Sequence, residues 1–374
     1  MPQGAAKPKV LFLSPVPDFK GGAERSMLDL IANPEIEAEV AVPAPGPISE
    51  HLNAQGVPVH VIDFGAVNTV RRPLNLGKAA MTLNDAVSAA RRLNGLARER
   101  GVDVVHSNGL KAHAINVLAR RLGGRPSVVH IRDIAYTRPE KAFWVALQKT
   151  STAMVLVSRA CWPAGPAAPR NVHVIHNGVA VDAVAETPSA APGGARLGFI
   201  GRIHPSKGLS DLLDWIKAAI DAGQPLTLTV RGKFAPETPE YEGQIADQIA
   251  RLGLGDVVRM EGFVSDPDKV YENLDLVCVP SSAPDPFPRA VMEAMARGIP
   301  VIARPTGGIP EMVTHGETGF LVDDASAFVD VAGRLANDPE LAAQIGRQAH
   351  AHCASALTLG RLHADMGRLY RSLA

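Results

Sequence analysis

Short apolar runs alternate with amphipathic stretches along nearly the whole chain, and their spacing sets the expected elements. In the first half, "KVLFLSP" (9–15), "EAEVAV" (37–42), "VPVHVI" (57–62), "VDVVHS" (102–107), "PSVVHI" (126–131), "AMVLVS" (153–158) and "NVHVIH" (171–176) read as strands. Between them, "GAERSMLDLIA" (22–32), a long basic segment at 79–100, "KAHAINVLARRL" (111–122) and a stretch around 139–150 have helical spacing. Apolar strand runs separated by helices predict a parallel sheet covered on both faces. The rhythm breaks at "AVDAVAETPSAAPGGA" (180–195), whose Ala, Pro, Gly and Ser have no useful period, as expected of a linker between domains. It restarts at "RLGFIG" (196–201), with a helix over about 207–222 and strands at "LTLTVRG" (226–232), "VVRMEG" (257–262), "LDLVCVP" (274–280) and "IPVIAR" (299–304).

The last stretch, "LGRLHADMGRLYRSL" (359–373), places Leu359, Leu362, Met366 and Tyr370 on one helical face. The expected organisation is therefore two doubly wound, Rossmann-like α/β domains, residues 1–180 and 181–355. A final helical segment, 356–374, is expected to pack back on the first domain. Two such domains in series are expected to face each other across a central cleft, with the carboxyl ends of both sheets turned towards it, where open α/β sheets bind ligands.

Composition narrows the picture a little. A chain of 374 residues with 20% charged positions is ordinary for a globular protein of about two domains. No stretch reaches the length of a spanning helix, and the apolar run at 10–13 is too short for a signal peptide. Cys161, Cys278 and Cys353 are scattered and odd in number, which fits buried thiols and a cytoplasmic setting. Charge is unevenly shared: residues 1–180 hold 21 Lys+Arg against 13 Asp+Glu, and the second half reverses this. Halves of opposite sign meet different partners or attract each other.

The chemistry-bearing residues cluster in the second half. In "GRIHPSKG" (201–208), Arg202 follows a strand end and Lys207 opens a helix five residues on. Two cations at a sheet mouth suit a diphosphate, Arg as a planar fork and Lys as a point charge. In "TGGIPEM" (306–312), Gly307 and Gly308 allow close backbone approach, and a helix start with Pro310 in its first turn would aim N–H groups at an anion. Glu293, inside a helix expected at 287–297, can accept both hydrogen bonds of a ribose diol or simply favour the helix dipole; Asp285 lies ahead of that helix and can cap it. "DPD" (266–268) has the form of a metal-binding D-x-D but reads as a cap at a helix start, and no metal site is expected. His106 ends a strand and lines either the cleft or the core. There is no Walker A, no G-x-G-x-x-G after the first strand and no basic stripe interleaved with aromatics, so nucleic acid is not an expected partner.

In this order, Arg202, Lys207, Asp285, Glu293, "EAMARGIPVIA", "TGGIPEMV" and "GETGFLV" (316–322) resemble the retaining family-4 glycosyltransferases of GT-B fold. "GGAERSMLDL" (21–30) looks like that family's first glycine loop, and "VIHNGV" (174–179) like the segment ahead of its hinge. The resemblance implies a sugar moved from a nucleotide diphosphate-sugar to an acceptor hydroxyl with retention and without a metal or other cofactor. The acceptor would be a glycan or lipid-linked glycan. A GT-B epimerase or phosphorylase, or a non-catalytic nucleotide-sugar binder, are the alternatives.

It also implies roles for individual residues. Arg202 and Lys207 would hold the diphosphate, and Glu293 the ribose. Asp285, with the backbone of Phe287 and Pro288, would meet the donor sugar. Arg231 to Lys233 and Glu261 to Val264 would flank the base, and Gly21 and Gly22 would close on the phosphates. The family's N-terminal His-Asp pair reads "HIRD" here, so either His130 or Arg132 fills the His role beside Asp133, with His106 and Asn108 as further acceptor-side candidates. Asp285 stands where Glu is commoner, and Pro286 and Pro288 where glycine is usual. Finally, Arg71, Arg72, Lys78, Arg91, Arg92, Arg98 and Arg100, with Phe143 and Trp144, would dock an anionic membrane surface or are solvated helix faces.

Overall fold

The computed structural model describes residues 6–19, 21–69, 76–165, 168–181 and 194–374, and for residues 69 and 76–81 the backbone alone. Most of the expected linker, and the basic side chains Arg71, Arg72 and Lys78, lie outside the described residues. The chain divides into two compact units, 1–178 together with 359–374, and 179–358.

The first unit runs β1 (Lys9–Leu13), α1 (Gly22–Ile31), β2 (Glu37–Val42), α2 (Pro47–Ala54), β3 (Val59–Val61), α3 (Leu76–Glu99), β4 (Val104–Asn108), α4 (Leu110–Arg121), β5 (Ser127–Ile131), α5 (Arg138–Thr150), β6 (Ala153–Leu156) and β7 (Val172–Val174). Its seven strands are all parallel, in the order β3-β2-β1-β4-β5-β6-β7. Alternate side chains of β1 leave on opposite faces. Val10 and Phe12 join a core with Met27, Leu30 and Val40, while Leu11 and Leu13 join another with Leu93, Val105 and Ile115.

The second unit runs β8 (Ala195–Ile200), α6 (Leu209–Asp221), β9 (Leu226–Arg231), α7 (Glu240–Leu252), β10 (Val258–Gly262), β11 (Leu276–Val279), α8 (Arg289–Ala296), β12 (Val301–Ala303), β13 (Phe320–Leu321), α9 (Ala325–Asn337) and α10 (Pro339–Ala356). Its six-stranded parallel sheet has the order β10-β9-β8-β11-β12-β13. The last helix, α11 (Leu359–Leu373), returns to the first unit. Leu362, Met366 and Tyr370 enter the core on the Phe12 face, and His363 and Arg371 tie α11 to Asp29 and Glu35.

The structure departs from the expected elements in a few places. "VPVHVI" is a strand only over Val59–Val61. The "DPD" segment opens a turn rather than a helix, with Asp266 accepting from the amide of Asp268. The helix expected after the Gly-Gly turn is a single 3-10 turn, Ile309–Glu311, with Gly308 before it and Met312 after it. In both sheets the strand order reverses beside the first strand, between β1 and β4 and between β8 and β11. Loops leaving such a pair part to opposite faces of the sheet and open a crevice at its carboxyl edge.

Candidate functional site

At the reversal point of the second unit, the loop after β8 meets the loop after β11. Pro205–Lys207 forms a 3-10 turn ending at Gly208, whose φ of 75° and lack of a side chain both matter. A Cβ there would lie 2.0 Å from the carbonyl oxygen of Pro280. The turn is held to the other loop by Ala283, whose amide donates to Ser206, and by the Ser282 hydroxyl, which donates to Pro205. The result is direct contact between two residues expected to act separately: the Lys207 ammonium forms an ion pair with the Asp285 carboxylate. Asp285 is only 6% exposed, whereas Lys207 is open to solvent on one side.

The Gly-Gly turn packs on the backbone of Asp285. The Gly308 amide donates to the Asp285 carbonyl at 2.8 Å. Gly307, at φ 58°, leaves room for that carbonyl, which a Cβ would meet at 2.0 Å. The Gly308 amide is thus committed to Asp285, and the expected helix start after the turn is reduced to one 3-10 turn. Pro286 and Pro288 carry no amide hydrogen, so between Asp285 and Arg289 only Phe287 can donate from the main chain. Phe287 and Pro288 are themselves buried.

The other donor-side candidates are placed less uniformly. Arg202 is exposed and pairs with Glu237 at 2.6 Å. Glu293 is half-buried and accepts hydrogen bonds from the Tyr271 hydroxyl at 2.8 Å and Arg289 Nε at 3.0 Å. Burial, then the adjacent Glu293 charge, push the Tyr271 phenol well up, keeping it a donor. A carboxylate has about four lone-pair positions, so Glu293 keeps acceptor capacity for a diol. Arg231, expected beside the base, is held in place: it binds Glu261 and the carbonyls of Lys269, Val270 and Glu272 at 2.8–3.0 Å. Lys233 lies over the exposed Phe263 ring, 4.8 Å from its centroid.

The carboxyl edge of the first sheet is built differently. Gly21 is extended, and its amide is taken by the Glu24 side chain at 2.9 Å, so the expected glycine loop is a capped start to α1. Asn108 ends β4 and Arg132 follows β5. Arg132 Nε donates to Asn108 Oδ1 at 2.8 Å, Nη1 to Asn177 Oδ1 at 2.6 Å and Nη2 to His130 Nδ1 at 3.3 Å.

His130 is fully buried, and its Nε2 has no partner. His106 is equally buried, bonded through Nδ1 to the Tyr370 hydroxyl at 2.8 Å, with its ring 5.2 Å from that of His130. Burial first, and the Arg132 charge second, push both imidazoles well below their usual range, so both are neutral. The catalytic reading of His130 and the cleft reading of His106 are therefore corrected: both are core residues. Arg132, half-buried, and Asp133, exposed, are the members of "HIRD" that reach the surface.

Asn177, Tyr271, Glu237 and Arg289 were not expected. The spacing of Arg289 to Glu293, one helical turn, could have indicated that pair; the others have no local signal. Trp144 is buried, Arg92 donates to the Asp63 carbonyl, and Arg100 is paired with Glu39, so the proposed membrane-facing set is partly committed internally. Among the described residues no helix is long and apolar enough to cross a membrane, and no group of three or more His, Cys, Asp or Glu could hold a metal ion.

Comparison with known proteins places both units. Residues 21–178 match the glycosyl transferase 4-like domain, and residues 187–352 match glycosyl transferases group 1. A D-inositol 3-phosphate glycosyltransferase of Streptomyces scabiei is 31% identical over 288 residues, 68% of this chain and 64% of the relative, so the match spans a little under two thirds of that protein. The lipopolysaccharide core biosynthesis mannosyltransferase LpsB of Rhizobium meliloti is 32% identical over 152 residues, 39% of this chain and 43% of the relative. Anabaena HepE, solved with UDP and glucose and with UDP-glucose, superposes with a TM-score of 0.78 at 25% identity, covering 98% of this chain and 100% of HepE.

Proposed function

Because the chain belongs to the GT-B glycosyltransferases, a 4-like domain followed by a group 1 domain, we propose that it moves a sugar from a nucleotide diphosphate-sugar to an acceptor hydroxyl with retention and without a metal. The observation that carries this reading is the meeting of Lys207 and Asp285 across the strand-order reversal of the second sheet. Such a crevice is where open α/β sheets bind nucleotides. A cation and a carboxylate there divide the work: Lys207, with Arg202, takes the diphosphate, and Asp285 takes sugar hydroxyls. Glu293, oriented by Tyr271 and Arg289, takes the ribose.

Chemistry follows from charge. As the anomeric bond breaks, negative charge grows on the departing phosphate and positive charge on the sugar. A preorganised ammonium beside the first and a buried carboxylate beside the second stabilise both. The departing phosphate oxygen can accept the acceptor proton, so no protein nucleophile is required. In the first unit, Arg132 is the fixed cation on the acceptor side, and the acceptor is a glycan or polyol, in keeping with the named activities of the relatives. A uridine nucleotide is the first donor to test, because HepE was solved with one.

The experiment is incubation with a panel of nucleotide-sugars and candidate acceptors, with nucleoside diphosphate release and product anomer read by NMR. Acceptor-dependent release with retained configuration and undiminished by chelator is expected. Donor binding without release would make the chain a nucleotide-sugar binder, and inversion would exclude the retaining mechanism.

A further inference from the structure

We propose that Asp285 makes the Lys207 site discriminate a complete nucleotide-sugar from the free nucleoside diphosphate, so that the leaving product is expelled by the residue that helped bind its sugar. The inference rests on the donor reading above and adds selectivity to it. Among the described residues Lys207 is the single ion-pair partner of Asp285. The carboxylate is buried, and its backbone is held. Gly308 holds its carbonyl, Gly307 admits that carbonyl at a distance no side chain would allow, and Pro286 restricts the chain immediately after it. The Asp285 backbone therefore does not carry the buried carboxylate out to solvent when its partner leaves.

The neighbouring cations do not substitute. Arg304 is committed to Asp211 and the Pro280 carbonyl, and Arg289 to Glu293. A diphosphate arriving at Lys207 competes with Asp285 for the ammonium. A bare nucleoside diphosphate takes it and leaves a buried carboxylate unpaired beside an anion, a costly arrangement. A nucleotide-sugar also brings hydroxyl donors, and hydrogen bonds to the carboxylate replace what the ammonium supplied. The penalty thus falls on the product and is lifted for the substrate. It returns once the sugar has left the diphosphate.

The test is calorimetric titration of the full chain with UDP and with UDP-glucose, and with GDP and GDP-mannose as a second pair, for wild type, Asp285→Asn, Asp285→Ser and Asp285→Glu. Both neutral variants are expected to bind the free diphosphate about tenfold tighter than wild type, the effect of roughly 1.4 kcal/mol. They are expected to bind the nucleotide-sugar less tightly, so that the order of preference reverses. Asp285→Glu, which keeps the charge, is expected to keep the wild-type order. The second neutral variant guards against a failure of Asp285→Asn to fold. If the neutral variants bind the free diphosphate no tighter than wild type, the proposal is wrong while the donor reading stands. If wild type binds neither pair, the donor reading itself has failed and this inference with it.

Discussion

The two sheets share a winding, with order reversed beside the first strand, yet their carboxyl edges hold charge in opposite ways. In the second unit the facing loops place Lys207 on Asp285, a pair with one partner open to solvent. In the first, Arg132 is fixed by Asn108, Asn177 and His130, with the neutral His106 and His130 rings meeting edge to face. One edge carries a cation held by a single carboxylate and open to solvent, and the other a cation held by three side chains. The difference lies below the loops: apolar residues underlie the second site, whereas His106, His113 and His130 underlie the first. A common fold therefore does not imply a common response to ligand or to pH.

Acid is the sharpest way to separate the units. Burial, then Arg132, lower the imidazoles of His106, His130 and His113, the last to about 3. A base held neutral in the fold binds its proton more readily when unfolded, so its contribution is present above about pH 6.5 and is lost as pH falls below that value. The slope is about 1.4 kcal/mol per pH unit for each group. Glu39 adds to this at lower pH: burial raises its carboxyl, but hydrogen bonds from Arg100, Lys9 and His60 prevail and bring it down to about 2. A depressed carboxyl stabilises above its ordinary value of 4.5 and loses that contribution as pH falls from there towards 2. The first unit should therefore open before the second between pH 6 and 4, read as earlier loss of amide-exchange protection in β4 and β5 than in β8 and β11. Equal loss in the two sheets would remove the contrast.

Kinetics tests the solvent-open edge. Lys207→Ala should cost on the order of 10²–10³ in turnover, about 2–4 kcal/mol of transition-state stabilisation. Near-normal kcat with a nucleotide-sugar would show that the diphosphate is held elsewhere. On the oriented edge, Arg132→Lys keeps the charge but loses the planar fork that reaches two asparagines and an imidazole. We expect roughly a tenfold fall in kcat/KM for acceptor, equivalent to about 1.4 kcal/mol, with donor affinity unchanged. A matching loss in donor affinity would place Arg132 on the donor instead.

Tyr370→Phe removes the bond to buried His106. It should lower unfolding free energy by about 1–3 kcal/mol while leaving the activity of folded protein intact. The smallest effect concerns membranes. Arg91 and Arg98 remain exposed on α3, and cations near an anionic surface contribute roughly 1 kcal/mol each. Weak, salt-sensitive co-sedimentation with anionic vesicles is the expected outcome, and none at low salt would leave α3 a solvated face.

Much of this was legible in the residues. The apolar runs located most strands, because parallel strands buried on both faces read as continuous apolar segments. The two-residue β13 was missed because it is too short to have a period. The same rule could have placed His106 and His130 correctly: a side chain within a fully covered strand is interior on whichever face it lies. The partner of the Gly-Gly turn was not legible for another reason. Glycine signals a close approach but not to what, and here the approaching group is the Asp285 backbone, some 22 positions earlier in the chain. Likewise nothing local to Arg231 indicated what holds its side chain. The three carbonyls that engage it come from a turn whose path no local pattern specifies.

The position of α11 has a consequence for how the protein is made. Its side chains complete the core around Phe12, yet it follows the entire second unit in sequence. During synthesis the first unit emerges early but cannot close over His106 until Tyr370 has left the ribosome. The second unit is by then fully extruded and free to fold. The order of domain maturation should therefore invert the order of translation, with nascent α1 and β4 relying on chaperones, or on slow closure, until the final helix docks.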